Sequence, residues 1–93
     1  MVVGTLNLRL AIFDARSLKD KRRVVNSLKD RLKSRFNVSV AEIGSLDRWQ
    51  QAELGVAMVA NDGEFVHTAL DKLVEYVRQD TWTSLVDYQI EVF

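Results

Sequence analysis

Between Val2 and Phe13 the even positions hold Val2, Gly4, Leu6, Leu8, Leu10 and Ile12, while Thr5, Asn7 and Arg9 stand on odd ones. A period of two predicts a strand with one buried face. Ser17 follows, with Asp20 three residues on, the pattern of a side-chain oxygen capping first-turn N–H groups and a carboxylate reaching back. A helix is expected from there to about Asn37, its apolar residues Leu18, Val24, Val25, Leu28, Leu32 and Phe36 falling on one stripe at 3.6 residues per turn. Val38 to Gly44 is rich in β-branched residues and reads as a second strand, and Ser45 to Gln51 as a loop. Ala52, Leu54, Val56, Met58 and Ala60 give a third strand. Asn61 or Asp62 can cap a second helix whose apolar face is Phe65, Val66, Ala69, Leu70, Leu73, Val74 and Val77 and which ends near Asp80. Val86, Tyr88, Ile90 and Val92 alternate with polar residues in a fourth strand.

The order β-α-β-β-α-β with right-handed crossovers predicts an α+β, ferredoxin-like two-layer sandwich: a four-stranded antiparallel sheet in order 4-1-3-2, both helices on one face. The 93 residues make a single domain, 1–93, and no apolar run approaches the roughly 20 residues of a membrane helix. No export segment opens the chain, and the absence of cysteine removes disulfides, thiolate metal sites and a cysteine nucleophile. A cytoplasmic location is expected. The open sheet face should carry Val3, Thr5, Asn7, Arg9, Ala11 and Phe13 with Glu53, Gly55, Ala57 and Val59. Phe13 is the sole aromatic among them, which disfavours the base-stacking mode of RNA-recognition sheets and leaves self-association or solvation.

Net charge is zero, but it is segregated. Arg16 to Asn37 holds nine basic residues against two acidic ones, a balance of +7, so the rest of the chain carries −7. Local potential of this kind steers encounters regardless of the total.

Ser17-Leu18-Lys19-Asp20-Lys21-Arg22, Ser27-Leu28-Lys29-Asp30-Arg31-Leu32, Arg35-Phe36-Asn37-Val38-Ser39-Val40-Ala41-Glu42, Asp47, Trp49, Gln50 and Asn61-Asp62 together resemble the YlxP-like family of small bacterial proteins of unknown function. The resemblance covers nearly the whole chain. It implies a ferredoxin-like fold, a bacterial cytoplasm and gene neighbours among translation factors, and supplies no catalytic residues.

Helical winding places Lys19, Arg22, Arg23, Asn26, Lys29 and Lys33 on one outward stripe, with Arg31 and Arg35 on the opposite flank. Such a stripe suits a nucleic-acid backbone, where Lys and Arg displace counterions without reading sequence. The competing reading is a basic helix complemented by the acidic second helix or by a partner chain. Lys21 shares the face of Leu18, Val25 and Leu28. Either it forms an anion site with Ser17 at the helix start, or it runs past the core rim to a carboxylate such as Asp14. Trp49 and Phe13 are interface candidates, and Trp82 is expected to pack. His67 faces Asp71 one turn on, an exposed pair. No metal, cofactor or triad signature appears. The leading expectation is a non-enzymatic RNA- or ribosome-associated module; the alternative is a homodimeric protein-interaction or small-anion-sensing domain.

Overall fold

A computed structural model describes residues 1–93. Six elements follow in the anticipated order: β1 (Val2–Ala11), α1 (Leu18–Arg35), β2 (Ser39–Gly44), β3 (Gln51–Ala60), α2 (Gly63–Arg78) and β4 (Ser84–Val92). The sheet order is β2-β3-β1-β4 with every neighbouring pair antiparallel. This is the split-βαβ arrangement that the alternation predicts.

Alternation puts Leu6, Leu8 and Leu10 of β1 on the same side as Ala52, Leu54, Val56 and Met58 of β3. Against them pack Val25, Leu28 and Leu32 of α1 and Val66, Leu70, Leu73, Val74 and Val77 of α2, forming one core between sheet and helices. The α1 helix lies over β2 and the α2 helix over β1 and β4. Gly4 sits where α2 crosses closest: a Cβ there would collide with Val66 Cγ1 and stand 2.9 Å from Leu70 Cδ1. Only a residue without a side chain lets the helix settle that low.

Three local expectations change. The β1 strand ends at Ala11 instead of Phe13: Ile12 N–H makes one more bond in register to the Gln50 carbonyl (2.9 Å), and the chain then turns as Ala15 N–H closes on the Ile12 carbonyl (3.2 Å). A register shift between Arg9 and Leu10 brings Leu85, not Val86, opposite Leu10, and leaves Val86 exposed. One added residue flips the side-chain parity of a strand, so simple alternation misplaces everything before the bulge. Phe65 is likewise exposed, at the outer edge of the first turn of α2, and Val66 takes the buried position.

Candidate nucleic-acid interface

The basic helix begins with the anticipated cap. Ser17 Oγ accepts from Asp20 N–H (3.1 Å), and Asp20 Oδ2 accepts in turn from Arg16 N–H (3.1 Å). Two orphan donors are satisfied and an acid stands at the positive end of the helix dipole.

Lys21, one residue on, is 1 % exposed, the only charged residue so deep in the chain. Its ammonium donates to the Ser45 carbonyl at 2.5 Å and lies 2.8 Å from Glu42 Oε2. The carboxylate is therefore Glu42 and not Asp14, which is exposed. Period two explains the choice: Glu42 pairs in register with Leu54, a core residue, so its side chain points to the helix side of β2. Glu42 Oε2 is buried and accepts no well-directed hydrogen bond, so the short approach to Lys21 acts through charge. Ser45 has φ 58°, in the left-handed region, and its carbonyl also accepts Arg48 N–H at 3.0 Å. The expected anion site at Ser17 and Lys21 is thus corrected: the hydroxyl caps the helix, and the ammonium is enclosed by protein acceptors.

With Lys21 inward, the helical repeat turns Lys19, Arg22, Arg23 and Lys33 outward. All four are exposed, and Lys29 is half-buried. No carboxylate of the chain pairs with Lys19, Arg22, Arg23 or Lys29; Lys33 meets Asp30 at 4.0 Å, an exposed pair that water screens. The acids of α2 do not complement the stripe. Glu75 pairs with Arg78 (3.3 Å) and Asp71 with His67 (3.1 Å), both within α2, the latter as the spacing anticipates.

Arg31 and Arg35 face the other way. Arg35 lies over the Tyr76 ring, 4.7 Å from its centre. Arg31 spans to the segment between α2 and β4: Nη2 is 3.1 Å from Asp80 Oδ1, Nη1 donates to the Tyr76 hydroxyl (3.4 Å) and Nε to the Ser27 carbonyl (3.3 Å). Burial pushes the guanidinium pKa down, yet hydrogen bonds to Tyr76 and Asp80 and the Asp80 charge outweigh it, and the net direction is up. Asp80 Oδ2 also accepts from Thr83 Oγ1 at 2.9 Å. Asp80 and Thr83 are therefore tied together around Trp82, while Trp82 itself is 63 % exposed, which corrects the expectation that it packs.

Trp82 walls a groove of about 300 Å³ along the flank of α1, floored by Ile12, Ala15 and Val24. Asp14, Asp20 and Arg23 stand at its edge, and it runs on over Ser27 and Arg31 toward Asp80. Arg23 thus belongs both to the stripe and to the groove. Sequence pattern gives no sign of this groove, because the Trp82 segment and α1 are far apart in the chain and meet only in the fold, where Arg31 pairs with Asp80. Phe13 and Trp49 are also exposed, on neighbouring loops linked by Gln50, whose side-chain amide donates to the carbonyls of Phe13 (3.0 Å) and Ala15 (3.2 Å). No three His, Asp or Glu side chains converge as metal ligands. No helix is long and apolar enough to cross a membrane.

An α+β domain whose one long basic helix presents unpaired cations beside an aromatic-walled groove is the class that fold and surface define. Residues 3–90 match the family described as protein of unknown function (DUF503), and the chain belongs to that family. It is 33 % identical over 76 residues to the uncharacterized protein YlxP of Bacillus subtilis (strain 168), covering 82 % of this chain and 83 % of that one.

Removing one partner of the Lys21–Glu42 pair strands a buried charge. Glu42→Ala is expected to cost about 3 kcal/mol in urea unfolding, whereas the double change Lys21→Met with Glu42→Leu stays within about 1 kcal/mol of the parent. Equal losses in the single and double variants would contradict this assignment.

Proposed function

We propose that the protein is a non-enzymatic, cytoplasmic RNA- or ribosome-associated binding module that engages phosphates through the outer face of α1. The observation that carries this reading is the unpaired state of Lys19, Arg22, Arg23 and Lys29 on a face where a merely solvated helix mixes signs. Leaving like charges adjacent along a helix destabilises it by a few tenths of a kcal/mol per pair, and a polyanion reverses the sign of that term. Backbone contact of this kind is non-specific and salt-sensitive. With Lys19, Arg22, Arg23, Lys29 and Lys33 each meeting one phosphate of single-stranded RNA, log K should fall against log salt with a slope of about −3.5. Charge reversal at Arg22, Arg23 and Lys33 should flatten that slope by about 2 and weaken association with RNA and ribosomal subunits more than tenfold. Unchanged association in this triple variant would end the proposal.

A second reading, a homodimeric interaction domain, is favoured by the edge of β4. Ser84–Val92 is a nine-residue edge strand with exposed Val86, Tyr88 and Val92 and neither lysine nor proline to protect it. Edges of this kind accept another strand. It predicts a dimer at micromolar concentration in light scattering that Val86→Lys converts to monomer; a monomeric parent contradicts it.

A further inference from the structure

We infer that the groove walled by Trp82 takes one unpaired guanine base of an RNA strand whose phosphates lie along the stripe of α1. The inference rests on the RNA-binding reading and names the ligand chemistry of its neighbouring groove.

Four observations point to a flat, heteroaromatic occupant with an attached anion. The floor of Ile12, Ala15 and Val24 is apolar, and the groove's volume of about 300 Å³ exceeds that of one base. Its wall is an indole left 63 % exposed on a segment that the Arg31–Asp80–Thr83 bonds tie at Asp80 and Thr83. An exposed aromatic plane on a segment tied at Asp80 and Thr83 offers a base a surface to stack on. Arg23 connects groove and stripe, so a nucleotide with its base against Trp82 has its own phosphate within the same basic field. This joins a stacking platform to a basic track, the combination by which single strands are held.

The choice of base follows from Asp14. Its carboxylate is exposed at the groove edge and pairs with no cation of the chain. A carboxylate only accepts hydrogen bonds, through two parallel oxygens. Among the four bases, guanine alone presents two adjacent donors, N1–H and the N2 amino group, that match such a fork, whereas uracil and the others set at least one acceptor against it. Asp14 and Asp20 at the groove edge repel a phosphate, so the base turns inward to Asp14 and the phosphate outward, toward the stripe.

The test uses the full chain carrying Trp49→Phe, so that indole emission reports Trp82 alone. The probes are end-labelled 13-nucleotide RNAs, one all uridine and one with a single central guanosine, with affinities from label anisotropy at low salt. The guanosine oligomer should quench the indole and bind at least tenfold tighter than the all-uridine one. Trp82→Ala should weaken the guanosine oligomer about 5- to 150-fold while the salt slope persists, since alanine removes the stack and leaves the phosphate contacts. Asp14→Ala should bring the ratio of the two affinities close to one. Trp82 and Asp14 are both exposed, and circular dichroism checks that each variant folds. If both oligomers bind with the salt slope of the stripe but equally well, with emission unchanged, the groove inference is overturned and the phosphate reading stands. If neither binds at low salt, both fall.

Discussion

The rotation of α1 about its own axis is set by one buried cation. Lys21 cannot leave the interior without abandoning Glu42 and the Ser45 carbonyl, and those two acceptors belong to β2 and to the loop that follows it. A buried ammonium is tolerated only with such partners. The pair therefore ties the first turn of α1 to an edge strand that has a single neighbour in the sheet, and fixes which side chains of the helix look outward. A stripe of apolar residues alone would define that rotation less sharply, because leucine and valine tolerate small turns about the axis. A charge with two defined acceptors does not. Ser45, held at φ 58° with two donors on its carbonyl, is the local strain that this arrangement sustains.

The far flank of the same helix is set by the opposite kind of contact. Arg31 reaches Asp80, and through it Thr83, at the entry to β4. The hydrogen bonds to Tyr76 and Asp80 and the Asp80 charge outweigh the burial of its guanidinium, so the fold favours the charged form. The two arginines nearest α2 are thus used to position the chain, and the cations that remain free are those on the outer face. Segregation of charge along the sequence becomes segregation in space: bases outward on α1, and Asp71 and Glu75 of α2 paired with His67 and Arg78 of their own helix.

Much of this was legible from residue order. Alternation in β1 and β3, the Ser17 cap and the apolar faces of both helices each follow from short-range periodicity, and they suffice for the topology. Lys21 stood out for the same reason, a charge at a core position, and Glu42 stands opposite core residue Leu54 in the third strand, but joining them required the spatial meeting of α1 and β2. Bulges defeat periodicity, which is why Val86 and Leu85 exchange roles. Thr81 and Thr83 carry no pattern that would place Trp82, and the Arg31–Asp80 contact near it joins elements far apart in the chain. The outward stripe was readable from helical spacing, yet whether its cations were free depended on where the acids of α2 found partners.

The most direct test of the central claim, that the free cations of α1 form the binding face, is an amide and indole chemical-shift titration of the labelled protein with single-stranded RNA. The account predicts that shifts concentrate on Lys19, Arg22, Arg23 and Asn26 and on the Trp82 indole N–H. Shifts confined to the open sheet face, at Thr5, Asn7, Gly55 and Ala57, or to the β4 edge, would contradict it.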